Sequence, residues 1–202
     1  TLDSLRFTSM MNNVPVVSDG LAALSHLLRS SILKDNSYTP LHSELQTVED
    51  YLTLQRIRCC ETIVLKTEIS EEAAKASVMR LLLQPIVENA ICHGIEETEE
   101  DSVIYIKAVC HEKDYDIEIT DSGKGMDEQQ IALLKRKVSG EIEVSGGSGN
   151  GIGLKNVQDR IHIRFGESYG LHFASREGCY TKVSVRLPYS AAHIPEDSGT
   201  FG

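Results

Sequence analysis

The sequence has 202 residues, of which 41% are hydrophobic and 25% are charged; these values are typical of folded globular proteins and exclude wholesale disorder. Thirty acidic against twenty basic residues give a net charge of −10, which disfavours binding to nucleic acid or to an anionic membrane surface. Five scattered cysteines without a C-x-x-C pair indicate neither a disulfide framework nor a zinc site. No apolar run has the length of a membrane span, and the first residues lack the pattern of a signal peptide.

The first part of the chain, residues 1–60, has the periodicity of helices. Leucines recur at helical spacing after Ser18 and Asp19, two residues that often cap helices, and a second periodic run extends from Leu41 to Ile57. The pattern predicts a helical hairpin followed by a connector helix.

Residues 61–188 have the mixed pattern of an α+β domain, and residues 189–202 are small and polar, which predicts a flexible tail. Segment 138–150 is rich in Gly and Ser without an apolar period, so we expect a mobile loop there. The other elements predicted in this domain are a strand at 62–69, a helix at 80–93, a hairpin of strands at 103–110 and 115–121, a helix at 127–137, a helix at 151–165, and a hairpin at 171–175 and 180–187.

Alternation along the strand 115–121 places an acidic side chain on its apolar face. Asp121 has the same parity as the three apolar residues of that face, Tyr115, Ile117 and Ile119. Gly123 and Gly125 follow in a D-x-G-x-G pattern that lets a flat ligand approach the backbone, and an adenine amino group would suit the carboxylate. Thr181 has the inward parity on the last strand. The alternative is an aspartate that only bonds its own Asp-Ser-Gly turn.

A second glycine cluster, Gly149-Asn-Gly151-Ile-Gly153, runs directly into the helix predicted at 151–165. Backbone N–H groups at such a helix N-terminus can bind phosphate. Leu154 stands where the G-x-G-x-x-G pattern needs glycine, and the chain has no G-K-[ST], so neither a Rossmann fingerprint nor a P-loop fits. A flexible loop that ends at a capped helix is the alternative.

The predicted helix at 80–93 carries two polar residues in an apolar stripe. Asn89 and His93 fall roughly on the face of three apolar residues, Leu82, Ile86 and Ala90. An Asn amide oxygen is a suitable ligand for Mg²⁺ chelated by a triphosphate. Alternatively, both polar side chains find hydrogen-bond partners within the core.

Four motifs taken together resemble the N, G1, G2 and G3 elements of the Bergerat ATP-binding fold. They are V-E-N-A-I-C-H-G at 87–94, D-S-G-K-G-M at 121–126, G-N-G-I-G-L-K-N at 149–156 and G-C-Y-T at 178–181. The longer run L-L-L-Q-P-I-V-E-N-A is similar to that of LytS/YesM-type bacterial sensor histidine kinases. The resemblance covers residues 1 to about 188.

The resemblance implies a two-layer α/β sandwich with a mixed, mainly antiparallel sheet and one layer of helices, preceded by a helical hairpin. It implies that ATP and Mg²⁺ are bound, with Asn89 as the metal ligand and Asp121 as the acceptor for the adenine N6 amino group. Gly123 and Gly125 would floor the base pocket. The complete set of implied nucleotide-binding residues is Asn89, His93, Asp121, Gly123, Gly125, Met126, Gly149, Gly151, Gly153, Leu154 and Thr181.

Three departures from the family pattern affect the expected activity. Cys92 replaces a lysine that is common before the motif histidine, and Tyr180 occupies a position that is normally open. The N-terminal T-L-D-S-L-R is similar to the segment located directly after the phosphoacceptor motif H-F-L-Y-N in the family, so the acceptor histidine is expected just before Thr1. The fragment is therefore expected not to phosphorylate itself.

The implied function is the catalytic region of a two-component sensor histidine kinase, which transfers the γ-phosphoryl group of Mg-ATP to a histidine mainly by positioning and charge neutralisation. A gyrase- or Hsp90-like ATPase would carry a water-activating Glu four residues before Asn89, where this chain has Pro85; Glu88 is the only nearby acid that could act as acid or base. A non-catalytic nucleotide-sensing dimer scaffold is a third hypothesis, favoured by Cys92 and Tyr180.

The implied partners are a second copy of the full-length chain, through a four-helix bundle, and a response regulator. The resemblance also implies a cytoplasmic region of a protein in the bacterial cell membrane, with membrane contact only through segments beyond these 202 residues. The loop at 138–150 is predicted to close over the ATP phosphates and to become ordered with nucleotide and Mg²⁺; the alternative is a passive surface loop.

Overall fold

The computed structural model describes residues 2–32, 38–59, 63–95, 102–142 and 151–188. The elements in these ranges, in chain order, are helices α1 (Leu2–Met11) and α2 (Pro15–Ile32), strand β1 (Tyr38–Pro40), helix α3 (Leu41–Cys59), strand β2 (Ile63–Ile69), helix α4 (Glu71–Lys75), strand β3 (Ser77–Met79), helix α5 (Gln84–Ala90) with a π-helical turn (Ile91–Ile95), strands β4 (Ser102–Cys110) and β5 (Asp114–Asp121), helices α6 (Glu128–Val138) and α7 (Ile152–Phe165), and strands β6 (Gly170–Arg176) and β7 (Tyr180–Pro188).

Five strands form one mixed sheet in the order β2-β4-β5-β7-β6. The pair β2 and β4 is parallel, and the other three pairs are antiparallel. A parallel pair needs a long crossover, and α4 and α5 lie in this one. The predicted α+β class, with a mainly antiparallel mixed sheet, is confirmed.

The two faces of the sheet differ in chemistry as strand alternation requires. Inward residues of β5 and β7 are buried and pack with helices α3, α5 and α7 in one continuous core. The outward face carries charged pairs: Lys182 Nζ lies 3.1 Å from Glu118 Oε1, and Arg186 makes two hydrogen bonds of 2.8 Å to Asp116. The core, and with it the inward-facing polar side chains, therefore lies between the sheet and one layer of helices.

The N-terminal helices form the predicted hairpin and connector, with one correction. Helix α2 begins at Pro15, and Ser18 and Asp19 lie inside it; they do not cap it. Proline suits the first turn because its φ is already helical and its missing N–H is not needed there. No helix within the described ranges is long and apolar enough to cross a bilayer.

The helix predicted at 80–93 begins four residues later, so this boundary was wrong. Leu81 has a positive φ of 54°, which no helical residue adopts, and α5 starts at Gln84 with Pro85 in its first turn. Directly before this turn, β3 (Ser77–Met79) pairs with β1 in a two-stranded antiparallel ladder, which the sequence pattern did not predict. Strands of three residues are too short to show a period in the sequence.

The predicted loop at 138–150 has a different start in the structure. Helix α6 includes Val138, whose side chain is buried, so this residue belongs to the core and not to the loop. The segment 143–150, with Gly149, and the predicted tail 189–202 lie outside the described residues.

Candidate nucleotide-binding site

Asp121 is the buried acidic residue that strand parity predicts. It ends β5 directly opposite Thr181 of β7, and only 3% of its surface is exposed. Burial raises the pKa of its carboxyl from 3.8 to about 6, although the backbone N–H groups of Gly123 and Thr181 counteract this. Among the described residues no basic side chain forms an ion pair with it. A desolvated acid without a counter-charge is a candidate for ligand binding.

The turn that follows Asp121 holds its carboxylate by a local hydrogen bond. The N–H of Gly123 donates to Asp121 Oδ1 at 3.0 Å, which is the local turn bond that the alternative interpretation expected. This bond orients the carboxylate against the loop. It does not account for the burial, because a turn-capping aspartate functions equally well in solvent.

Glycines join this loop to the end of the π-helical turn. The N–H of Lys124 donates to the carbonyl of Gly94 at 3.0 Å, and a Cβ added to Gly123 would lie 2.1 Å from that same carbonyl oxygen. A Cβ added to Gly94 would lie 2.6 Å from Asp121 Oδ1. Glycine is therefore required on both sides, and the contact fixes the helix that carries Asn89 against the carboxylate.

The second half of the loop is held by the β6–β7 hairpin. Gly125 has a φ of 64°, and a Cβ there would lie 2.0 Å from the carbonyl oxygen of Arg176. The N–H of Gly178 donates to the carbonyl of Lys124 at 2.6 Å. The N–H of Met126 donates to Ser175 Oγ at 2.8 Å. These bonds and close contacts fix the backbone of the loop that follows Asp121.

Ser175 is a member of this cluster that the sequence did not reveal. Its hydroxyl donates to the carbonyl of Tyr180 at 2.7 Å and lies 3.2 Å from Thr181 Oγ1. It pairs with Thr181 in the register of β6 and β7. A lone serine in a strand gives no functional signal in the sequence. Its place beside Thr181 becomes visible only once the register of β6 and β7 is known.

We expect Ser175→Ala to lower the free energy of unfolding by about 1–2 kcal/mol, because it leaves the Met126 N–H without its acceptor. Urea unfolding would measure this. Ser184→Ala is the matched control: Ser184 lies on β7 with outward parity, and its substitution should change stability by less than about 0.5 kcal/mol. Equal effects of the two substitutions would contradict the role assigned to Ser175.

Asn89 and His93 are placed differently from the sequence prediction. Asn89 is only half-buried on α5, and His93 is exposed, so the shared apolar face with Leu82 was wrong. Leu82 precedes the helix, and the π-helical turn Ile91–Ile95 adds a residue per turn and shifts the later side chains out of phase. π-Helical turns are frequent at functional sites.

Glu88 is the other polar residue of α5 considered as a reactive group. It accepts a hydrogen bond of 3.3 Å from Gln84, and its charge helps to raise the pKa of Tyr51 on α3 to about 12, after the larger effect of burial. Glu88 therefore lies at the interface between α5 and α3.

The second glycine cluster is described from Gly151 onward. Gly151 is the N-cap of α7 and has a φ of 94°, a conformation that favours glycine. Gly153 packs on α5, since a Cβ there would lie 3.3 Å from Cβ of Pro85. The side chain of Leu154 is buried in the core, so only its backbone could contact a ligand.

Two of the three departures from the family pattern lie in the described residues, and both are accessible at the surface. Cys92 is exposed in the π-helical turn. Tyr180 is 36% exposed at the start of β7, where its carbonyl is bonded to Ser175.

The fold and these motifs agree with the comparison to protein families. Residues 75–191 match the family of histidine kinase-, DNA gyrase B- and HSP90-like ATPases, and residues 1–63 match the histidine kinase family. The first match covers more than half of the chain, so the chain belongs to the histidine kinase-, DNA gyrase B- and HSP90-like ATPase family. The resemblance inferred from the sequence motifs is confirmed.

Individual relatives are sensor kinases. The chain is 32% identical over 188 residues to the sensor histidine kinase YesM of Bacillus subtilis, and 29% identical over 172 residues to the sensor protein kinase HptS of Staphylococcus aureus. These alignments cover 93% and 85% of this chain but only 30% and 32% of the relatives, so the chain spans about a third of their length.

Two solved structures share the fold. The histidine kinase domain of the blue-light activated histidine kinase from Erythrobacter litoralis EL346 has a TM-score of 0.50 and 14% identity, covering 91% of this chain and 84% of that one. The catalytic domain of histidine kinase ThkA has a TM-score of 0.53 and 15% identity, covering 75% and 95% of the two chains.

Proposed function

We propose that this chain is the catalytic region of a sensor histidine kinase that binds Mg-ATP and passes the γ-phosphoryl group to a histidine. The observation that carries the proposal is the Asp121 carboxylate, which is buried, lacks a basic partner among the described residues and is held in place by close glycine contacts. Such a group binds a ligand that brings its own N–H donor, as adenine does through its N6 amino group.

The loop around Asp121 fits the base of a nucleotide. Gly123 and Gly125 place no side chain between a flat ring and the backbone, and Thr181 lies beside Asp121 on the neighbouring strand, where it would support the base through a water or through the carboxylate. Met126 would border the same pocket, and the bond from its N–H to Ser175 Oγ fixes its backbone.

The phosphates and the metal are assigned to the two helices that flank this loop. The free N–H groups at the start of α7, behind Gly151 and Gly153, would bind phosphate oxygens, and Gly149 would extend this set. The amide oxygen of Asn89 fits the hard oxygen donors that Mg²⁺ prefers, with phosphate and water oxygens as its other ligands. Bound Mg²⁺ would neutralise charge on the phosphates, and the exposed side chain of His93 would contact them.

Transfer is favoured over hydrolysis by the surroundings of Pro85 and Glu88. Proline cannot act as a base, and Glu88 accepts a hydrogen bond from Gln84 and acts electrostatically on Tyr51 of α3. A non-catalytic nucleotide-sensing scaffold is a second candidate, because Cys92 replaces the lysine that is common in this motif. Because the Cys92 side chain is exposed, the substitution does not disturb the backbone of the motif, and nucleotide binding is compatible with either candidate.

We further propose that residues 1–60 form the dimerisation part and residues 61–188 form the ATP-binding domain. The downstream partner would be a response regulator. Large apolar side chains are exposed on α1, on α2 and in the turn between them, where a second copy would cover them to complete a four-helix bundle: Leu5, Phe7, Met10, Met11, Val14, Val16, Val17, Leu24 and Leu28. Sensor kinases of this type reach the membrane through other segments, which would leave this region in the cytoplasm.

A direct test combines nucleotide binding with phosphate transfer. Calorimetry should show binding of ADP that Mg²⁺ strengthens, while ATP labelled at the γ-position should leave this chain unlabelled, because the resemblance places the acceptor histidine before Thr1. Addition of a fragment that carries the H-F-L-Y-N motif should give acid-labile phosphate on that fragment. Rapid phosphate release without transfer would instead favour the ATPase, and binding without either reaction would favour the scaffold.

A further inference from the structure

The turn that precedes α5 is anchored from the N-terminal region by one buried acid. Glu44 of α3 is 4% exposed, and its carboxylate accepts three consecutive backbone N–H bonds, from Leu81 at 2.9 Å, Leu82 at 2.8 Å and Leu83 at 3.2 Å. These bonds satisfy amides just before the first turn of α5, which would otherwise lack acceptors.

The same turn stores a backbone conformation that local sequence does not favour. A leucine with a φ of 54° is uncommon, because its Cβ crowds the backbone, and it persists where surrounding contacts determine it. Arg160 of α7 supplies the other contacts: its guanidinium donates to the carbonyl of Arg80 at 2.5 Å and to that of Leu81 at 3.3 Å. The turn is thus held between a carboxylate on α3 and a guanidinium on α7.

The turn also connects the N-terminal hairpin with both helices of the candidate site. Arg80 donates from Nη2 to the carbonyl of Ser30 on α2 at 3.0 Å. The helix that follows the turn carries Asn89, and Gly153 of α7 packs on Pro85 at its start. A shift of α2 and α3 against the sheet would therefore move this turn first, and α5 with it.

We infer that Glu44 is a positioning residue: its carboxylate sets where α5 begins and so places Asn89 relative to Asp121, which makes the 80–83 turn the joint between the helical hairpin and the nucleotide site. The inference rests on the proposed function for the part that concerns Mg²⁺. A carboxylate suits this position because it offers two acceptor oxygens to three backbone N–H donors, whereas a glutamine keeps one acceptor oxygen and places an NH₂ donor where the other was.

The test compares Glu44→Gln with the matched control Glu49→Gln, on this same chain. Glu49 lies on α3 as well and makes an exposed ion pair of 2.7 Å with Arg56, but does not touch the turn. In the nucleotide-free protein, Glu44→Gln should speed hydrogen exchange of amides 81–92 at least tenfold (roughly the effect of losing one charged hydrogen bond), while β4 and β5 amides stay protected. Glu49→Gln should leave both regions unchanged.

The second readout is the gain in ADP affinity that Mg²⁺ provides. Glu44→Gln should remove most of this gain and leave the metal-free affinity within about twofold, because metal-free binding depends mainly on Asp121 of the sheet. Exchange that rises equally in all elements, or an unaltered gain from Mg²⁺, would overturn the inference. Absence of ADP binding by the natural chain would overturn the proposed function, while the exchange pattern would still report whether Glu44 positions α5.

Glu44→Asp keeps the charge and shortens the side chain by one methylene. It should show the same pattern at smaller size, and it serves as the decisive variant if Glu44→Gln does not fold. Natural exchange rates at 81–92 in a folded Glu44→Asp protein, with a natural gain from Mg²⁺, would contradict the positioning role.

Discussion

Asp121→Asn is expected to weaken nucleotide binding by roughly ten- to a hundredfold, which corresponds to about 1.5–3 kcal/mol for a lost charge-assisted hydrogen bond. The carboxylate accepts the Gly123 N–H through Oδ1, and an asparagine that keeps this bond would turn its NH₂ group toward the ligand. Two donors, the amide NH₂ and the adenine amino group, would then face each other. Calorimetric titration with ADP would measure the change.

The control for this experiment is Asp116→Asn. Asp116 lies on the same strand but on the outward face, where it pairs with Arg186, so its substitution should leave the ADP dissociation constant within about twofold. Unchanged binding in Asp121→Asn, or equal losses in both variants, would contradict the assignment of Asp121 as the adenine acceptor.

The same substitution should change how stability depends on pH. The pKa of Asp121 is about 6 in the folded protein against 3.8 ordinarily, so the unfolded chain loses its proton first as the pH rises. The free energy of unfolding therefore falls between about pH 4 and pH 6, and stays lower above it, by about 3 kcal/mol from this group. Asparagine has no such loss.

Urea unfolding at pH 4 and pH 8 would therefore show that Asp121→Asn gains about 2.5 kcal/mol relative to the natural chain between the two pH values, slightly less than the full effect because the unfolded carboxyl is already more than half ionised at pH 4. A binding-site acid that costs stability when no ligand is present is the expected compromise between function and folding. A difference between the two proteins that does not vary with pH would mean that the carboxyl titrates normally in the fold.

How far the sequence predicts the site depends on the kind of signal each residue gives. Asp121 and Thr181 were placed correctly, because alternation with period two fixes the face of every residue in a buried strand. His93 was misplaced, because the helical period assumes an α-helix, and the π-helical turn at Ile91–Ile95 is not visible in the pattern of apolar residues. Asn89 lies before this turn, in the α-helical part of α5, and is half-buried where the apolar stripe predicted burial.

Contacts between distant segments were not predictable in the same way. Glu44 lies in a helical run that identifies it as a helix residue, but its three bonds join it to a turn almost forty residues away. Ser175 and the short pair of β1 and β3 likewise acquire their roles only through register. A single sequence carries local periodicity; long-range pairing becomes visible only in the folded chain.

Some glycines are required by their own backbone conformation, and others by a contact with a distant segment. Gly123 belongs to the second kind, and its substitution is expected to affect stability more than that of Gly178. Its backbone has no unusual φ, but a Cβ would lie 2.1 Å from the carbonyl oxygen of Gly94, a collision with backbone that no side-chain rotation can relieve. We expect Gly123→Ala to lower the free energy of unfolding by about 2–3 kcal/mol and to abolish measurable ADP binding, since the loop must separate from the helix that carries Asn89.

Gly178 provides the matched control for Gly123, because alanine at 178 would be strained only by its backbone conformation, whereas alanine at 123 would be strained only by a collision. Its φ is 70° and an added Cβ would meet nothing within 4 Å, so Gly178→Ala should cost only about 1 kcal/mol from the left-handed backbone and should leave ADP binding measurable. Urea unfolding would measure the stability of both variants, and calorimetry would measure their affinity for ADP; the comparison separates the effect of the collision from that of the backbone conformation. If Gly123→Ala proved no more destabilising than Gly178→Ala, the close contact between the Asp121 loop and the end of the Asn89 helix would be contradicted.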